Sequence, residues 1–123
     1  MLVGYGPEPL SIESFVERAL PSLGKRFVST QHRLSNVSVQ LTGETARVEA
    51  YVLAFHVEAG DAGRRLHTFA GRYIDSFETR GGRWKIAQRV LRNDWSTVEA
   101  MGDAMTGTWI ASGRAGSPDP IFD

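Results

Sequence analysis

The chain has 123 residues, of which 41% are hydrophobic, with Lys plus Arg and Asp plus Glu both at 14 and no cysteine. That length supports one domain with its own core, and the balanced charge removes the long-range field that would draw the chain to nucleic acid or an anionic membrane. The absence of cysteine excludes disulfide frameworks, thiol nucleophiles and zinc–thiolate sites. Met1 to Pro7 carries neither a basic run nor a sustained apolar one, and no segment is long enough to span a bilayer, so a soluble cytoplasmic protein is expected.

From Ser11 to Leu23, apolar Ile12, Phe15, Val16, Ala19, Leu20 and Leu23 recur every three or four residues and predict a helix with one apolar stripe. Ser11 is its N-cap, Glu13 suits the positive helix end, and Pro21 and Gly24 mark its stop. Arg26 to Leu41 then reads as a strand with Val37, Val39 and Leu41 on one face and His32, Leu34, Asn36, Ser38 and Gln40 on the other. Thr42 to Thr45 is a turn, and Ala46 to Val57 is a strand apolar on both faces. The segment from Glu58 to Arg65 reads as a loop, His67 to Thr79 as a third strand, and Arg80 to Arg83 as a hairpin turn whose glycines accept positive φ. Trp84 to Trp95 is the fourth strand, Val98, Met101 and Met105 suggest a short helix, and 112–123 is an extended arm.

Four long antiparallel strands with two apolar faces cannot be covered by one helix. A second copy packed on the sheet, as a dimer or trimer, or a cavity between sheet and helix would meet that need.

Candidate chemistry centres on His32 and Arg89. An imidazole titrates near pH 6.5 and can take a proton from carbon, and a fixed arginine can stabilise the anion left behind. Asn36, Phe55 and Tyr73 are candidate substrate-binding residues, although aromatic residues in such strands also serve as plain core. Asp75 is either a carboxylate partner for a histidine or an ion-pair partner for an arginine, and Arg89 has Asp75 and Asp94 as candidate partners. His32, His56 and His67 lack metal-motif spacing, though distant strands could bring them together, so no metal is expected. Gly81-Gly82 precedes no helix and is no phosphate cradle, and no serine or threonine has a nucleophile-elbow context.

The segments Thr30-Gln31-His32-Arg33-Leu34-Ser35-Asn36-Val37, Thr42-Gly43-Glu44-Thr45-Ala46-Arg47-Val48, Tyr51-Val52-Leu53-Ala54-Phe55-His56, Gly71-Arg72-Tyr73-Ile74-Asp75 and Gly82-Arg83-Trp84-Lys85-Ile86-Ala87-Gln88-Arg89, with Asp94-Trp95, together resemble the SnoaL-like family of the NTF2-like superfamily. The resemblance implies an α+β domain in which a curved antiparallel sheet of about four strands and an N-terminal helix form a cystatin-like cone around a hydrophobic pocket. It implies cofactor-free members such as polyketide cyclases, scytalone dehydratase, a dehydrochlorinase and small isomerases, and also non-catalytic β subunits of ring-hydroxylating dioxygenases. His32 matches the family's strand histidine and Arg89 a pocket arginine. The family's partner aspartate lies on an N-terminal helical segment ahead of the part matched here, so the cone is expected to be open on that side.

The expectation is therefore a single domain over 1–123, acting as a cofactor-independent lyase or isomerase on a small hydrophobic cyclic compound by histidine acid–base catalysis. The alternative is a non-catalytic ligand-binding or assembly subunit. In either case a homo-oligomer formed through the sheet is expected, with no nucleic-acid or membrane partner.

Overall fold

The structure, a computed structural model, describes residues 2–4 and 10–102. The chain forms β1 (Leu2–Gly4), β2 (Leu10–Ser11), α1 (Ile12–Arg26), β3 (Phe27–Thr42), β4 (Thr45–Gly60), β5 (Gly63–Arg80) and β6 (Arg83–Ala100). The strands make one curved sheet, open rather than closed, in the order β2-β1-β6-β5-β4-β3. The four long strands form an antiparallel meander, as the alternation predicts. The sheet is nevertheless six-stranded and mixed, because β1 runs parallel to β6 with Val3 opposite Arg89. Two- and three-residue strands are too short for a period-two pattern to register, which is why about four strands are legible in the sequence.

Helix α1 begins where expected. Ser11 has extended backbone and its side chain accepts a hydrogen bond from the Ser14 N–H at 3.2 Å. It does not stop at Pro21 or Gly24 but continues to Arg26 with both residues inside it. Tertiary anchors hold this last turn against its poor local propensity. The Phe27 N–H bonds the Leu23 carbonyl, Phe27 itself is buried, and the Arg26 guanidinium grips Glu58 on β4.

The segment expected as a loop from Glu58 to Arg65 is mostly sheet. Strand β4 continues to Gly60, β5 starts at Gly63 with φ of 107°, and Asp61-Ala62 is the two-residue turn between them. Its polar residues face water at a sheet end, so composition hides the hairpin. Arg80 to Arg83 is the expected tight turn, with Gly81 and Gly82 at φ of 58° and 73°. Strand β6 continues past Trp95 to Ala100, so Val98 is a strand residue and not part of a helix. Met105 and the arm at 112–123 lie outside the described residues.

Strand β3 carries a bulge between Ser35 and Ser38, where Asn36 has a left-handed backbone with φ of 51°. One extra residue there inverts the alternation. His32 and Leu34, opposite Ala54 and Val52, therefore share a face with Val39 and Leu41, opposite Val48 and Ala46. That face looks towards the helix. The core lies on it, built from Val52 and Ala54 on β4 and Tyr73 on β5, with Phe69 and Leu91 packed against them. On the outer face Tyr51 and Trp95 are 45% and 54% exposed.

Candidate active site

Between helix α1 and the sheet lies an open cavity of about 560 Å³. Phe15, Ala19, Ser22 and Leu23 of α1 close one side of it. The sheet side is Ala54, Phe69, Tyr73, Leu91 and Val98 together with all three histidines, His32, His56 and His67. The volume is within the range of a small-molecule site, and the lining mixes apolar side chains with the hydroxyl-bearing Ser22, Thr68, Ser96 and Thr97.

Strand register explains why the histidines meet. His56 on β4 lies directly opposite His67 on β5 and opposite Thr30 on β3, one pleat repeat from His32. The Nε2 atoms of His32 and His56 are 3.2 Å apart, with the rings edge to face. One hydrogen lies between them, so one ring donates and the other accepts. Phe27 organises the group from the helix–strand junction: its ring stacks on His56 at 4.9 Å between centroids and presents its edge to His67 at 5.3 Å. Among the described residues no group of three or more ligating side chains converges on a metal position.

Burial, reinforced by His32 and then His67 nearby, pushes the His56 imidazole below its ordinary 6.5. His56 is thus kept neutral in the folded protein. A hydrogen bond from Arg26 at 2.6 Å holds the Glu58 carboxyl below its ordinary 4.5, outweighing partial burial. These two shifts act in different pH windows. As pH falls through 6.5 the unfolded chain protonates its free His56 while the folded chain resists, so stability declines there until the folded value is reached. The stability tied to ionised Glu58 is lost only below 4.5, as pH falls towards its lowered folded value. Thermal melts between about pH 7.5 and about pH 5 should fall for the wild type and less steeply for His56→Gln. Equal slopes would mean that His56 carries no burden of burial.

Of the residues singled out from the sequence, His32 and Tyr73 line the cavity. Phe55 alternates to the outer face, where the Arg33 guanidinium lies 5.3 Å from its ring centre. Asn36 sits in the β3 bulge and is absent from the cavity lining. Its short polar side chain suits the left-handed backbone there. Arg89 is directly opposite Asp75 and makes two hydrogen bonds to it, Nε to Oδ1 at 2.9 Å and Nη2 to Oδ2 at 2.8 Å. Its guanidinium carbon lies 4.0 Å from the Tyr73 ring centre. Arg89 therefore approaches the cavity through Tyr73, and its charge is balanced by a carboxylate.

A model of the SnoaL-like domain matches residues 8–90, two thirds of the chain, from before α1 into β6. The chain belongs to the SnoaL-like family. Its fold is that of the NTF2-like superfamily. A candidate scytalone dehydratase from Novosphingobium aromaticivorans DSM 12444 is similar at 26% identity and a TM-score of 0.66, over 84% of this chain and 69% of that one. A hexachlorocyclohexane dehydrochlorinase, LinA type 2, is similar at 16% identity and a TM-score of 0.68, over 87% and 74%. The β subunit of a candidate aromatic-ring-hydroxylating dioxygenase from N. aromaticivorans DSM 12444 is similar at 18% identity and a TM-score of 0.53, over 76% and 69%. The last two likenesses are of fold alone. No curated protein matches the chain. Among the described residues no helix is long and apolar enough to cross a membrane.

Proposed function

We propose that this SnoaL-like protein is a cofactor-independent lyase or isomerase that takes a proton from carbon in a small, uncharged, hydrophobic cyclic compound. The observation that carries this reading is the His32–His56 pair on the wall of a largely apolar cavity. The hydrogen bond between the rings persists, His32 donating from Nε2 to His56 Nε2, and His32 accepts the C–H proton at Nδ1. His56, kept neutral by burial, then accepts the N–H of the His32 imidazolium. In this arrangement a second imidazole does the orienting that a carboxylate does elsewhere.

Two further features support an uncharged ligand. The nearby ions are paired with each other, Asp75 with Arg89 and Glu58 with Arg26. The negative charge that develops on the substrate then meets hydrogen-bond donors instead of a free cation. Tyr73 is assigned that role, since it lines the cavity and its ring lies against Arg89, which draws electron density from the π face.

Exchange of the α-protons of 2-tetralone in D2O, followed by proton NMR, tests proton abstraction without knowledge of the natural substrate. The protein should accelerate exchange, and His32→Ala should lower the protein-dependent rate about 100-fold, the lower range for loss of a positioned general base. No acceleration by the wild type, or full acceleration by a folded His32→Ala variant, would overturn the reading.

A further inference from the structure

Beyond the His32–His56 pair, the cavity wall holds a third imidazole whose surroundings differ. The His67 Nε2 is shielded from solvent and has no hydrogen-bond partner of its own. The facing acidic atom is Glu58 Oε2 at 3.4 Å. That carboxylate is itself fixed, since the same Oε2 accepts from Arg26 Nε at 2.6 Å. Arg26 lies in the last turn of α1, the helix that closes the cavity, and its guanidinium carbon is 5.0 Å from the Phe27 ring centre. The Phe27 ring in turn bears edge-on against His67. Helix end, carboxylate and imidazole are thus one connected unit.

We infer that Glu58 is a positioning residue that sets the tautomer of His67, and that His67 thereby becomes the hydrogen-bond acceptor for a donor group on the bound ligand. The 3.4 Å contact is not a made hydrogen bond, but an ionised carboxylate favours a hydrogen on the nearer ring nitrogen, so a neutral His67 carries it on Nε2 and leaves the Nδ1 lone pair free. The other imidazole nitrogen is what a second contact fixes, as in sites where a carboxylate orients a histidine from behind. His32 and His56 share one hydrogen between themselves, whereas His67 has a carboxylate at its Nε2. The two units then divide the work: the pair handles the proton, and His67 orients the ligand. This inference rests on the proposed site but not on its chemistry.

Two measurements on the full chain test it, using naphthalene and 2-naphthol as probes that differ by one hydroxyl. Nitrogen-15 shifts of labelled histidine should show His67 in the Nε2–H form at neutral pH. Glu58→Gln, whose amide both donates and accepts, should release that preference and give a mixture or the Nδ1–H form. In the wild type 2-naphthol should bind about tenfold more tightly than naphthalene, the effect of one net hydrogen bond. Glu58→Gln and His67→Phe should lose that tenfold preference while still binding naphthalene, which shows the cavity to be intact. A wild-type His67 in the Nδ1–H form, or a 2-naphthol preference that survives both substitutions, would overturn the inference. Should either variant fail to bind naphthalene, the change in His67 tautomer between the wild type and Glu58→Gln decides, and an unchanged tautomer overturns the inference. Failure of proton exchange with 2-tetralone leaves these readouts unaffected, so the two proposals fail separately.

Discussion

Asp75→Ala is expected to remove about 3 kcal/mol of stability, roughly 10 °C of melting temperature in a chain of this size. Asp75 is 4% exposed and holds Arg89 through both carboxylate oxygens. Removing Asp75 takes both of these charge-assisted hydrogen bonds from the Arg89 guanidinium, which lies against the Tyr73 ring. The cost is set at the low end for buried pairs because the Arg89 side chain is 25% exposed and keeps some hydration. Removing both ions as Asp75→Leu with Arg89→Met should recover most of the loss, because the desolvation of two charges disappears along with their attraction. Circular-dichroism melts of the two single variants and the double variant complete the cycle. A single Asp75→Ala variant that melts with the wild type would show that the pair contributes nothing, and would reopen a catalytic part for Arg89.

How much of this was legible in the sequence varies with the length scale of the signal. The four long strands and the amphipathic helix carry patterns that repeat over many residues, so their order and type were readable, as was the Ser11 cap. Strands β1 and β2 were not, because two or three residues set no period. The faces of β3 were misjudged beyond Ser35, because a single bulge residue, Asn36, shifts every later side chain to the other side. An asparagine inside a strand pattern was the available sign, since it tolerates the left-handed backbone that a bulge requires.

The site was readable only in part for a similar reason. His32 stood out by its likeness to a family position and does line the cavity. His56 and His67 were visible as residues but not as neighbours. They are equidistant from the Asp61-Ala62 turn and face each other only once that turn is placed, and the run from Glu58 to Arg65 reads as a loop. Glu58 was hidden for the same reason. Its meaning comes from Arg26, 32 positions away on a helix whose Pro21 and Gly24 signal an earlier end. Partners across a sheet are set by register, and register is fixed by turns and bulges more than by composition.

Gly71→Ala should be more damaging than its size suggests, with a loss of about 3 kcal/mol or more and a shrunken folded population. Gly71 lies where β5 and β6 change register, opposite Asn93, just before the extra residue Asp94 bends β6. The β6 backbone passes so close there that a Cβ on residue 71 would overlap the Arg92 carbonyl oxygen and press on the Phe69 ring. A carbonyl in a strand cannot yield as a flexible side chain can. Either β6 separates from β5 or Phe69, which lines the cavity, is driven into it. Any folded fraction of Gly71→Ala should therefore also bind naphthalene more weakly. The same substitution at Gly24 is the control. Nothing lies within 4 Å of a Cβ there and the position is inside α1, so Gly24→Ala should stabilise by about 0.5–1 kcal/mol. Opposite signs at the two glycines would tie the damage to the bulge itself, whereas a Gly71→Ala variant that melts and binds like the wild type would mean that β6 does not cross there, and that the curvature enclosing the cavity has another origin.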